Sequence, residues 1–232
     1  MFESKKEKTK LNYLSNRGYA LIKENYSHQE LTNIRRDLTV KPFVNKQFSA
    51  GANPFSVFLE SKKKLYLPRY YGIKHFGIPP KNKLVGKDIN LNFTSQLRPN
   101  QVPVEKKFLE EARTNGGGII CVPCGFGKTV IGLKLLVELG KQTIIIVHKE
   151  FLMDQWIERI EQFIPDAKVG KVQGKVVKVV GYDIVIAMLQ SVSMRDYPDG
   201  TFDNFGFVIY DECHHLGAEI FSRSLIKLGC QY

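Results

Sequence analysis

Beyond residue 97, the apolar positions come in continuous runs separated by stretches of helical period. The runs are Gly118–Val122, Thr143–Val147, Asp183–Ala187 and Phe205–Tyr210. Unbroken β-branched runs of four or five residues are the signature of strands buried on both faces. Between them, Val104–Thr114 and Val130–Leu139 have helical patterning, the second closed by Gly140. Phe151, Leu152, Trp156, Ile160, Phe163 and Ile164 repeat at helical spacing and predict a helix with one face on a sheet. Ala167–Val180 alternates apolar and basic residues around Gly170 and Gly174, which predicts short strands. Strands alternating with helices in this way predict an α/β domain with a mainly parallel, right-handed sheet.

The first 90 residues follow a different pattern. Residues 1–10 are charged and expected to fray. Gly18–Lys23 predicts a strand, and Ser27-His28-Gln29-Glu30 is a capping box that opens a helix to about Leu38. Leu38–Pro42 predicts a further strand. Phe55–Glu60 and Lys64–Pro68 predict two strands joined by the turn Ser61-Lys62-Lys63, followed by a short helix from Tyr70 to Phe76 that Ile78–Lys81 breaks. The expected organisation is a small basic α+β module over 1–90 and an α/β domain over 91–232, with a linker ending near Ser95. Tyr66, Tyr70, Tyr71 and Phe76 are read as core rather than as base-stacking platforms.

Charge sharpens this division. Residues 1–90 hold 18 Lys+Arg against 7 Asp+Glu, and residues 91–232 hold 16 of each, so the net +11 lies wholly in the front module. A localised basic surplus is the electrostatic footprint of a binder of phosphate backbones. Hydrophobic residues make up 43% of the 232, enough for one sizeable core and a smaller one. With no run near the ~20 apolar residues of a membrane span and no apolar signal core after Met1, the expectation is a soluble intracellular protein without membrane partners. Cys121 and Cys124 form a C-x-x-C pair, with Cys213, His214 and His215 as the conceivable second half of a zinc site. Both groups sit in segments that nucleotide chemistry explains better, and reduced thiols are expected.

That chemistry centres on Pro123, Cys124, Gly125, Phe126, Gly127, Lys128, Thr129 and Val130, at the end of an apolar run and the start of a helix. Glycines let backbone N–H groups wrap a polyphosphate, and the helix N-terminus adds a positive dipole end. Lys128 supplies a mobile charge for the β- and γ-phosphates, and the Thr129 hydroxyl is placed to ligate Mg²⁺. Val122 stands where the full G-x-x-x-x-G-K-[ST] pattern has its first glycine. Some 80 residues on, Asp211 and Glu212 follow the last apolar run. In one parallel sheet both segments emerge at the carboxyl ends of the strands, where ligands bind. Asp211 would then hold Mg²⁺ and Glu212 would polarise the attacking water.

Asp211-Glu212-Cys213-His214 resembles the DExH box, and Pro123–Thr129 motif I, of superfamily 2 helicases and translocases. Leu97-Arg98-Pro99-Asn100-Gln101 is similar to the adenine-recognition motif of the XPB and UvsW type. Val147–Trp156 resembles motif Ia, and Ile186–Val192 the segment written T-x-Q-S, with His148 and Met188 departing from the usual residues. Arg17-Gly18-Tyr19 and Leu38–Pro42 resemble the front end of helicases of large DNA viruses, the poxvirus transcript-release type among them. The resemblance implies a RecA-like domain that uses ATP and Mg²⁺, with Arg98 and Gln101 at adenine and His214 coupling the site to nucleic acid. It implies Lys149, Gln190 and Ser191 as contacts to a DNA or RNA backbone. It also implies partners in transcription or repair and a nuclear or cytoplasmic location, or the virion or viral factory for a viral protein.

In that family a Ser-Ala-Thr strand follows the DExH helix and a second RecA-like domain supplies arginine fingers. This sequence ends at Leu228-Gly229-Cys230-Gln231-Tyr232, so an N-terminal portion with weak or no ATPase activity of its own is expected. Two other readings stay open: a phosphate-loop ATPase that remodels protein complexes, and a nonenzymatic nucleic-acid-binding module whose nucleotide half-site only stabilises the fold.

Overall fold

A computed structural model describes residues 11–41 and 53–232. The frayed end expected over 1–10, and Pro42 of the predicted strand, lie outside these residues. The chain divides into two compact units that meet between Leu84 and Val85.

In the first unit, β1 (Tyr13–Ser15) and β2 (Gly18–Ile22) form a hairpin, and a single 3-10 turn leads to α1 (His28–Asp37). The predicted capping box is present: the Glu30 N–H donates to Ser27 Oγ at 3.2 Å, and the Ser27 N–H donates to Glu30 Oε2 at 2.8 Å. β3 (Thr39–Val40) pairs with β4 (Phe55–Ser56), and β5 (Leu59–Glu60) with β6 (Lys64–Leu67), so the single strand expected over Phe55–Glu60 serves two sheets. After α2 (Arg69–Phe76), β7 (Lys81–Asn82) completes a five-stranded sheet of order β5-β6-β2-β1-β7. Leu14, Tyr19, Leu21, Leu65 and Leu67 are buried with Leu31, Ile34 and Leu38 from the α1 segment. Tyr71 and Phe76 join this core while Tyr70 is exposed, so the reading of the aromatics as core holds in part.

The second unit begins earlier than expected. Residues 86–94 are tied down rather than free: the Ile89 N–H donates to the Gly140 carbonyl and the Thr94 N–H to the Phe163 carbonyl, both at 2.9 Å. Ile89, Leu91 and Phe93 alternate with polar residues and pack on the core, and an antiparallel bridge between Asp88 and Lys141 ties the segment to the start of β8.

α3 (Val102–Asn115) ends at Gly116, whose φ of 87° is the left-handed helix stop. α4 (Lys128–Leu139), β8 (Thr143–Val147), α5 (Glu150–Phe163), the hairpin β9 (Val169–Gln173) and β10 (Val176–Val177), β11 (Ile184–Met188), α6 (Leu189–Met194), β12 (Phe207–Tyr210) and α7 (Glu219–Lys227) follow. The sheet order is β10-β9-β11-β8-β12; all neighbours are parallel except the hairpin. β8 is buried at every position. One face packs Ile145, Val147, Ile184 and Ile186 against α4 and α5, and the other packs Ile144, Ile146, Val185 and Ala187 against α6 and the end of the chain.

One predicted strand is absent. Residues 118–122 are irregular and Ile119 is 82% exposed. A strand exists only with a ladder partner, and the outer edge of β12 instead pairs with the final residues: the Tyr232 N–H donates to the Gly206 carbonyl at 2.8 Å and the Val208 N–H to the Tyr232 carbonyl at 3.0 Å.

Candidate nucleotide site

The glycine loop is shaped by its backbone. Gly125 and Gly127 have φ of 75° and 94°, conformations that side-chain-bearing residues rarely adopt, and the second is the N-cap of α4. The helix therefore starts at Lys128, two residues before the patterned stretch, with its free N–H groups facing the loop. No side chain caps it, which leaves those donors for a ligand.

Arg98 and Gln101 grip this loop from the side. Gln101 Nε2 donates to the Phe126 carbonyl at 2.8 Å, and Gln101 Oε1 accepts from the Arg98 N–H at 2.9 Å. Arg98 Nη2 donates to the same Phe126 carbonyl and to that of Gly125. The approach is close enough that a Cβ on Gly127 would lie 2.4 Å from Gln101 Nε2. Gln101 is 2% exposed, and these bonds leave one N–H and one lone pair of its amide unspent.

Opposite the loop, β12 delivers Asp211 and Glu212. The Asp211 N–H is still bonded to the Ile146 carbonyl at 3.0 Å, so its carboxylate leaves the sheet from a fixed root. Asp211 Oδ2 accepts a 3.0 Å bond from Trp156 Nε1 on α5. Glu212 has φ of 55°, the one positive value at a non-glycine among the described residues, a strain worth about 1–2 kcal/mol. That turn brings Glu212 Oε1 to 3.6 Å from Lys128 Nζ and Glu212 Oε2 to 3.4 Å from His214 Nδ1. The phosphate-loop lysine and the second carboxylate thus face each other across an open site, both about 40% exposed.

The histidines lie against one another with tilted rings: His148 is 4.2 Å from His215 and His215 4.2 Å from His214, centre to centre. Burial, then the His215 and Lys149 charges, hold His148 below the usual histidine range. Lys149 is exposed beside the Phe151 ring. Gln190 Nε2 donates to the His148 carbonyl at 3.0 Å. Ser191 is buried, and its Oγ accepts from the Gly174 N–H at 3.0 Å, so it supports the β9–β10 turn and is not presented at the surface. Cys121, Cys124 and Cys213 are exposed free thiols, and no cluster of three or more metal-ligating His, Cys, Asp or Glu occurs among the described residues.

Sequence reasoning named His215 only as a conceivable zinc ligand, and Trp156 only as an apolar helix position at the end of the segment resembling motif Ia. It foresaw neither the His215 ring contacts nor the Trp156–Asp211 bond, of which the indole N–H, a donor that needs a partner when buried, was the one sign.

Comparison with known proteins identifies the family. The profile of the family described as type III restriction enzyme, res subunit (ResIII), matches residues 94–230. A protein of Acanthamoeba polyphaga mimivirus described as a "putative ATP-dependent RNA helicase" is 32% identical over 93% of this chain and 42% of its own length. The DNA 3'-5' translocase XPB2 of Sulfurisphaera tokodaii is 32% identical over 55% of this chain and 27% of its own length. The chain therefore spans less than half of the relatives it matches. The SWI2/SNF2 ATPase core of Sulfolobus solfataricus, solved in complex with dsDNA, shares the fold with a TM-score of 0.51 at 16% identity, covering 61% of this chain and 32% of its own. By the family match over more than half its length, the chain belongs to the ResIII family, the superfamily 2 helicases and translocases that its motifs resemble.

Proposed function

We propose that this chain is the ATP-binding part of a DExH-type helicase or translocase that couples Mg·ATP hydrolysis to the remodelling of DNA or RNA. The observation that carries the proposal is the 3.6 Å approach of Lys128 Nζ to Glu212 Oε1 across the glycine loop. A lysine and a carboxylate facing each other at a helix N-terminus are suited to a polyphosphate and the water that attacks it. The open cradle at Gly125, where an added Cβ would meet nothing within 4 Å, leaves space for a phosphate chain.

In this reading Lys128 and the loop N–H groups bind the phosphates, and Arg98 and Gln101 hold the loop in shape and meet adenine. Thr129 and Asp211 hold Mg²⁺, which when bound neutralises phosphate charge. Glu212 orients the attacking water. Its link to His214, and the ring contacts of His214 with His215 and of His215 with His148, connect that carboxylate to the segment carrying Lys149. Lys149 and Gln190 are the proposed nucleic-acid contacts; Ser191 is spent on the β9–β10 turn instead.

The basic front unit is proposed as a second grip on nucleic acid. Lys64 and Lys83 lie 5.3 and 4.5 Å from the Tyr13 ring centre, and Arg17 lies 5.8 Å from that of Tyr66. Lys64 Nζ also donates to the Tyr13 hydroxyl at 2.8 Å, and cations held by neutral aromatic partners keep their charge for phosphates.

The test is phosphate release from ATP with and without single- and double-stranded DNA and RNA, for this chain and Lys128→Ala. Release that rises with a nucleic acid and vanishes in the variant supports the proposal. Nucleic-acid binding indifferent to ATP and to Lys128→Ala would replace it with the nonenzymatic reading.

A further inference from the structure

The indole of Trp156 touches both halves of the candidate site. On one side its Nε1 donates to Asp211 Oδ2 at 3.0 Å. On the other, its Cη2 lies 3.1 Å from the position a Cβ would take on Gly132, one turn along α4 from Lys128. The ring is 3% exposed and cannot swing away without opening the core beneath the sheet. A carboxylate has two oxygens with about four lone pairs. Fixing Oδ2 with a rigid, buried donor settles where Oδ1 points.

We infer that Trp156 is a positioning residue for the divalent cation: it aims Asp211 at the metal and ties that aim to the helix that begins at Lys128 and Thr129. The inference rests on the proposed Mg·ATP site. Gly132 belongs to the same contact: with no side chain it lets the indole lie close against α4, where an added Cβ would press the ring by a few tenths of an ångström. Trp156 is also the one tryptophan of the sequence, so the protein carries its own reporter on this hydrogen bond.

The experiment has two arms on the whole chain. In the first, intrinsic fluorescence of the wild type is followed during titration with ADP in EDTA, then with ADP and Mg²⁺ or Mn²⁺. The emission is expected to change when the metal enters and not with metal-free nucleotide. In the second, Trp156→Phe keeps an aromatic ring but removes the donor. Nucleotide binding is measured calorimetrically against Mg²⁺ concentration. The Mg²⁺ requirement is expected to rise about tenfold, the loss of roughly one charge-assisted hydrogen bond, with metal-free ADP affinity unchanged. The fluorescence arm needs no variant, so a poorly folded Trp156→Phe leaves the test intact.

Silent wild-type fluorescence on metal binding, or an unchanged Mg²⁺ requirement in folded Trp156→Phe, overturns the inference while ADP binding preserves the proposed site. If the wild type binds no nucleotide at all, both fall together.

Discussion

Replacing Gln101 with alanine isolates the contribution of the brace beside the glycine loop. The substitution removes two hydrogen bonds, to the Arg98 N–H at 2.9 Å and to the Phe126 carbonyl at 2.8 Å. Each neutral bond is worth roughly 0.5–1.5 kcal/mol net, so the pair contributes about 2 kcal/mol. The Phe126 carbonyl keeps Arg98 as a donor and the Arg98 segment is exposed, so water limits the loss to that order. For a unit of this size, 2 kcal/mol corresponds to a Tm lower by roughly 4–8 °C. If the brace holds the loop in its binding shape, ATP affinity falls as well, by about tenfold or more. Gln101→Glu discriminates further, since it preserves an acceptor for Arg98 but sets a carboxylate against the Phe126 carbonyl; it is expected to bind ATP no better than the alanine variant. Differential scanning fluorimetry and calorimetric titration read the two effects. A Gln101→Ala protein with Tm within 1 °C and ATP affinity within twofold of wild type would refute the reasoning.

Other outcomes follow from the same geometry. Gly127→Ala combines a φ of 94° with a Cβ 2.4 Å from Gln101 Nε2, and is expected to lower ATP affinity at least as far as Gln101→Ala in the same titration. Cys121, Cys124 and Cys213 should alkylate readily in the native protein, whereas burial pushes Cys230 up to about 12 and shields it; mass spectrometry should find Cys230 unmodified and Cys124 protected by Mg·ATP. Hydrogen bonding by Arg35, joined by Lys23, holds Glu60 at about 2, below its ordinary carboxylate value. A depressed carboxylate stabilises the fold above its unfolded pKa and loses that contribution as pH falls, so acid unfolding of the front unit should steepen between about 4.5 and 2. The pair is partly exposed, so Glu60→Gln should flatten that window at a neutral-pH cost under about 1 kcal/mol in urea melts.

The parallel sheet was readable because strands buried on both faces leave continuous apolar runs: Thr143–Val147 is buried throughout, as such a run requires. The Ser27–Glu30 box and Gly140 likewise state local geometry in the residues that adopt it. Gly118–Val122 has equal apolar character and forms no strand, because pairing depends on a neighbour that local sequence does not specify. Residues 86–94 read as a linker although Ile89, Leu91 and Phe93 alternate at strand period, because the backbone that anchors them, residues 140–142, lies some 50 residues further along the chain. At the site, the loop and the two carboxylates are contiguous motifs and could be named from the chain. The Trp156–Asp211 bond joins residues 55 apart, and the strained turn at Glu212 is a property of backbone angles; neither leaves a local trace.

The most direct measurement of the central claim is equilibrium binding of ATP, with Mg²⁺ present, to the wild-type chain and to Lys128→Ala. The account predicts saturable binding that weakens roughly ten- to hundredfold in the variant, the loss of a charge-assisted contact to phosphate. Saturable binding of equal strength in both proteins, or none in the wild type, would contradict it.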